Sequence, residues 1–149
     1  MLSVSTEQAE VIKMKDIALV FMGFLLAILW DRIKDAKKAK SEKKRAKAAA
    51  SYLLRDVGKF RSYMSALGGN LSAPSRNLDK IQTLSLYFDV LDPLVLSIDD
   101  DQLSNYYFEV RSKYASAVTS PNNNAINNSV DELMIAIRPF AGRLGVREN

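Results

Sequence analysis

Residues 46–67 read AKAAASYLLRDVGKFRSYMSAL, and the spacing of their apolar positions decides the fold. Ala46, Ala50, Leu53, Val57, Phe60, Met64 and Leu67 recur at steps of 4, 3, 4, 3, 4 and 3. A helix turns once in about 3.6 residues, so these positions share one face. Lys47, Arg55, Asp56, Lys59 and Arg61 fall between them on the other faces. A stripe of this period is either a coiled-coil seam or the core face of a bundle helix. More helical stripes follow, so the spacing predicts a bundle core.

Downstream, Gly68, Gly69 and Asn70 are residues that accept the left-handed backbone at a helix end. Residues 68–77, with Pro74, read as a loop. A second helix is predicted from about Leu78 to Leu91, capped by Asn77, with Leu78, Ile81, Leu84, Phe88 and Leu91 on its inner face. Pro93 is expected to interrupt it, because proline lacks an N–H. A third helix is predicted from about Asp100 to Val118, carrying Leu103, Tyr107, Val110, Tyr114 and Ala117. Thr119 to Asn128 read as a loop by composition. The fourth helix is predicted to open at Ser129, with Glu132 completing a capping box. Its face is Val130, Leu133, Ile137, Phe140 and Leu144, and Pro139 should kink or shorten it. Strand-like alternation is absent, and the fold class is all-α.

Upstream of the seam stands Ile17 to Trp30, an uncharged apolar run of fourteen residues. It rises only about 21 Å as a helix, against a hydrocarbon core of about 30 Å. Extended back to Val11, it gains length and takes in Lys13, Lys15 and Asp16. Lysines snorkel at a membrane boundary, and Trp30 suits the opposite interface. The run is apolar all round and lacks a signal-peptide cleavage pattern. The expectation is a single transmembrane helix over residues 11–30, preceded by a short tail, 1–10.

Residues 31–47 hold nine Lys/Arg and three acids, a difference of +6, whereas residues 1–16 stand at −1. Basic flanks stay cytoplasmic. The predicted topology is single-pass in the plasma (inner) membrane, N-terminus outside and C-terminal domain cytoplasmic. A basic helical stalk, 31–47, would leave the membrane and enter an up-down bundle of about four helices over 48–145, followed by a tail, 146–149. The stalk would give roughly 25 Å of reach.

Residues 48–149 carry ten Lys/Arg and eleven Asp/Glu, so the basic character belongs to the stalk and not to the bundle. The chain has no cysteine and no histidine. That removes thiolate metal sites, His-dependent triads and the commonest general base. Asp99, Asp100 and Asp101 lack the ligand spacing of a calcium loop and read as acids at a helix start. No catalytic, cofactor or metal residue is assigned, and the chain is expected not to be an enzyme.

The basic residues Arg32, Lys34, Lys37, Lys38, Lys40, Lys43, Lys44, Arg45 and Lys47 are assigned to anionic lipid head groups. They lack the interleaved aromatics of a single-strand binder, so nucleic acid is set aside as a partner. Gly23 and Ala27 form a small-xxx-small pair that would allow helix association and a homo-oligomer. Tyr106, Tyr107 and Phe108 are consecutive and cannot all face one core, which makes Tyr106 and Phe108 the candidates for contact with a protein partner. The function expected is that of a non-catalytic accessory subunit, tether or regulator that docks a partner at the cytoplasmic face. The alternative is a self-associating, membrane-perturbing effector of toxin or holin type, with the bundle as sensor or brake.

Overall fold

A computed structural model describes residues 6–66 and 74–147, with side chains from residue 18 in the first segment and from residue 77 in the second. The elements in chain order are α1 (Thr6–Ala66), α2 (Pro74–Gln82), α3 (Ser85–Ser97), α4 (Asp101–Val118) and α5 (Asn123–Arg143). Among the described residues there is no strand. The chain divides into two units, residues 1–39 and residues 40–149.

In the first unit α1 is helical from Thr6, and every described side chain from Ala18 to Ala39 is exposed. Leu19, Phe21, Phe24, Leu26, Leu29 and Trp30 stand between 55% and 66% exposed, so apolar groups emerge on all sides. Among the described residues no helix is long and apolar enough to cross a membrane. The physical reason is length: the uncharged described stretch ends at Trp30, and Asp31, Arg32, Lys34 and Asp35 come directly after it. The side chains of residues 11–17, which the expected span would also need, lie outside the described residues.

The second unit is a helical bundle with one core. The α1 seam supplies Ala46, Ala49, Ala50, Leu53, Leu54, Val57, Phe60 and Met64, all buried. Leu67 and the expected Gly68-Gly69-Asn70 stop lie outside the described residues. Facing the seam are Ile81, Leu84, Phe88 and Leu91, then Leu103, Tyr107, Val110, Tyr114 and Ala117, then Val130, Leu133, Ile137, Phe140 and Leu144. These are the positions the 4-3 spacing selects, apart from Leu78, which is only half-buried. The pairing of α4 with α5 is the most extensive of the helix contacts. Its residues are small where the hairpin closes: Ala117 is fully buried, and the Ser120 and Ser129 hydroxyls sit 3.0 Å apart.

Four boundaries differ from expectation. The loop over 68–77 is shorter, because Pro74 opens α2, where a missing N–H costs nothing. Asn77 is therefore not a cap. It lies inside α2, fully buried, and its Nδ2 donates to Asn123 Oδ1 at 3.1 Å.

The predicted second helix is divided at Thr83 and Leu84. Leu84 keeps right-handed helical angles (φ −67°, ψ −17°), and Leu84 N and Tyr87 N bond three residues back. The divide is thus a tightened turn that lets α2 and α3 continue as one arm. Pro93 does not end α3, which runs on to Ser97, and Pro139 likewise sits within α5. Both prolines are exposed, and the carbonyls they release belong to Asp89 and Ile135, also exposed. Water can satisfy those groups, so the helices continue.

The fourth difference is at α5, which opens six residues before Ser129. Asn122 is its cap, its Oδ1 accepting from Ala125 N at 2.9 Å. Ile126, 1% exposed, gives this extra turn an apolar anchor that the asparagine-rich composition hides. Glu132 closes no capping box and instead takes Lys113 at 2.9 Å.

Phe140 is fully buried and Leu96 is 85% exposed. Urea unfolding followed by circular dichroism should show Phe140→Ala losing about 3–5 kcal/mol. Leu96→Ala should stay within about 0.5 kcal/mol of the parent. Equal losses at the two positions would contradict this core.

Candidate functional site

The turn between α3 and α4 is held from three directions. Ile98 leaves α3 in an extended conformation, and Asp100 (φ −148°, ψ 95°) caps α4, its Oδ1 accepting from Leu103 N at 3.0 Å. Arg143, at the end of α5, places Nε 2.9 Å from Asp100 Oδ2 and Nη2 3.3 Å from Oδ1. The guanidinium holds the Asp100 carboxyl below the ordinary carboxylate range, and the Leu103 amide adds to this. This is the capping role expected of the Asp99-Asp100-Asp101 cluster. Among the described residues no group of three potential ligands could hold a metal ion.

Behind the turn lies a groove of about 530 Å³, walled by Asp92, Val95 and Leu96 from α3 and by Ser104, Asn105, Tyr107, Phe108 and Arg111 from α4. Its wall is fixed from inside. The Tyr107 ring packs 5.2 Å from Phe140 and 6.3 Å from Phe88 between centroids. Its hydroxyl donates to Asp92 Oδ1, whose other neighbour is Arg111 Nε at 3.5 Å. Burial, then the hydrogen bond it donates to the Asp92 carboxylate, pushes the Tyr107 hydroxyl well above the ordinary tyrosine range. Arg111 also lies over the Phe88 ring, 5.0 Å from its centroid.

Successive helical residues point about 100° apart. With Tyr107 turned in, Phe108 is turned out and is 78% exposed. Leu96 is 85% exposed across the groove. The two stand over a partly polar floor of Tyr107, Asp92 and Arg111, which are held to one another by the Tyr107–Asp92 hydrogen bond and the Asp92–Arg111 ion pair. Tyr106 is placed differently. It is half-buried against the core, and its hydroxyl accepts from Gln102 Nε2 at 3.0 Å. Of the two sequence candidates, Phe108 lines the groove and Tyr106 does not. Leu96 was not legible as a partner residue, since nothing in the spacing after Pro93 shows which face it turns outward.

None of the remaining sequence candidates lines this groove. Arg32, Lys34, Lys37, Lys38, Lys40, Lys43, Lys44, Arg45 and Lys47 are all exposed on α1. Gly23 has open space where a Cβ would stand, and Ala27 is exposed.

A second groove, of about 510 Å³, lies between α1 and the α2–α3 arm and is lined by Asp56, Lys59, Phe60, Tyr63, Lys80 and Tyr87 among others. Lys80 Nζ sits over the Tyr63 ring, 3.6 Å from its centroid. The Tyr87 hydroxyl donates to Asp56 Oδ2. That bond, opposed by burial and helped by Arg55, holds the Asp56 carboxyl below its ordinary value. A third groove, between α1, α5 and the chain just after α5, is lined by Arg55, Arg138 and Arg147 over apolar side chains. The chain matches no family model, no curated protein and no solved structure.

The Asp56–Tyr87 bond has a pH signature. Because the folded carboxyl titrates below its ordinary value near 3.8, its contribution is complete above that value and is lost as pH falls through the lower folded one. Tyr87→Phe removes the largest cause of the shift. Urea midpoints measured across the acid range should fall less steeply in Tyr87→Phe than in the parent, and coincident acid limbs would count against the bond.

Proposed function

We propose that this chain is a non-catalytic, membrane-anchored accessory subunit or tether that docks a protein partner through the α3–α4 groove. One observation carries the reading: Phe108 and Leu96 stand exposed together over a floor of Tyr107, Asp92 and Arg111. Exposed apolar anchors on a preorganised surface lose little entropy on binding, which is where interface energy concentrates.

The anchor is the apolar run ending at Trp30. Its side chains are exposed on all sides in the isolated chain, and such a surface in water is costly. Lipid would cover it, with snorkelling of the flanking lysines and local thinning of the bilayer making up for its short length. The +6 charge of residues 31–47 favours the cytoplasmic side for the bundle. The absence of histidine and cysteine supports a role in interaction rather than chemistry.

Two outcomes are expected. A photo-crosslinking residue at Phe108 in cells of the native host should capture one defined partner, whereas the same residue at Ile135, 66% exposed on α5, should not. Equal capture at both positions would remove the groove from the reading. The full chain should stay in the membrane pellet through an alkaline wash, and its release would remove the anchor.

A further inference from the structure

We infer that the segment docking in the α3–α4 groove is a basic amphipathic helix of a protein partner, seating apolar residues on Leu96 and Phe108 and Lys or Arg on the acids beside them. The inference rests on the docking reading of that groove and adds the chemistry of the occupant. Its first support is a charge asymmetry. Residues 85–118, which make α3, α4 and their turn, carry six acids and two bases, a difference of −4. The remainder of the bundle, residues 48–84 and 119–149, carries five acids and eight Lys/Arg, a difference of +3. The exposed anchors thus belong to an acidic hairpin of an otherwise basic chain.

Two of the six acids are engaged within the fold. Asp92 takes the Tyr107 hydroxyl and Arg111, and Asp100 takes Arg143. Asp89, Asp99, Asp101 and Glu109 are exposed and make no ion pair among the described residues. Arg111, held by Asp92 at 3.5 Å and lying over the Phe88 ring, is the cation of the groove lining, and no other lines it. The groove therefore presents no free cation to repel a basic ligand.

Placement of the acids sets the shape of that ligand. Asp92 meets Tyr107 and Phe88 packs against Tyr114, so α3 and α4 run antiparallel. Asp89 and Leu96 are seven residues apart on one face of α3, and Asp101 and Phe108 are seven apart on one face of α4. Seven residues are two turns, or about 11 Å of helix. Because α4 starts where α3 ends, Asp101 falls at the Leu96 end of the trough and Asp89 at the Phe108 end. Each end then sets an apolar anchor beside an acid. A trough between two helices takes a third helix, read through apolar residues at i, i+3 or i+4 and i+7. The complement is a helix that carries an apolar residue beside a Lys or Arg twice, one to two turns apart. The same acids repel an anionic lipid surface and a nucleic-acid backbone, which leaves a protein segment as the occupant.

The test pans a library of random peptides displayed on phage against the full chain in neutral detergent, after depletion on Leu96→Ala with Phe108→Ala. Both substituted side chains are exposed, and thermal melts check that the fold is kept. Surviving peptides should be basic, with apolar residues at helical spacing. Fluorescence anisotropy of a synthesised survivor should show binding weakened about threefold or more in Asp89→Asn with Asp101→Asn. Raising salt from about 50 to about 300 mM should weaken it in the parent as well. Asp79→Asn, which removes an exposed acid of α2, should leave it unchanged. Survivors that are neutral or acidic, or that bind Asp89→Asn with Asp101→Asn as tightly as the parent, would overturn the basic ligand and leave the docking reading in place. If no peptide separates the parent from Leu96→Ala with Phe108→Ala, both fall. Self-association of the parent that Leu96→Ala with Phe108→Ala abolishes would give the groove to a second copy and overturn the inference.

Discussion

Covering the apolar seam of α1 is the constraint on which the bundle depends. From Ala46 to Met64 that face offers water no polar side chain, and eight of its residues are buried. No single short helix could cover it, because the seam runs the length of the bundle. The α2–α3 arm covers one flank and α5 covers the other, with α4 closing the ring. Three alanines stand at the head of the seam, and Phe60 and Met64 are buried at its far end. Polar links then fix the register: Arg61 meets Asp131 at 2.6 Å across seventy residues of chain, and Tyr87 ties α3 to Asp56.

Tyrosine serves a particular purpose at the core boundary. Tyr87, Tyr107 and Tyr114 each face inward with the ring while the hydroxyl meets a polar group near the surface: Asp56, Asp92 and, at 3.4 Å, the Gln82 carbonyl. Burial pushes the Tyr114 hydroxyl up, as it does that of Tyr107. Each tyrosine thus supplies apolar area without leaving its oxygen unpaired. Phe88 joins two of them, its ring 4.5 Å from Tyr114 and 6.3 Å from Tyr107 between centroids. The floor of the α3–α4 groove is thus joined to this aromatic group through Tyr107.

Much of this was legible in the spacing of apolar residues. The 4-3 steps at Leu103, Tyr107, Val110, Tyr114 and Ala117 name every buried residue of α4. Where the spacing misled, a second physical term competed with it. Proline breaks a helix by removing an N–H, but the sequence does not state that Pro93 and Pro139 both face solvent. Asn122 to Asn128 read as a loop by composition, while the single buried Ile126 and the Asn122 cap were enough to extend α5. Phe108 emerged from a simple exclusion, since three consecutive aromatic residues cannot all point inward. The arginine-lined trough was beyond reach. Arg55 is more than eighty positions from Arg138 in the chain, and only the packed bundle puts them in one place.

The position of α1 at the front of the chain has a consequence in time. Synthesis proceeds from the N-terminus, so the seam is made before any helix that covers it. At about 5–20 residues per second, the roughly eighty residues after Ala66 need about 4–16 s to appear. The most extensively paired helices, α4 and α5, are made after α1, α2 and α3. Until they pack, the α5 flank of the seam stays uncovered. A nascent chain of this design depends on its ribosome-bound interval being short or its first helix being held.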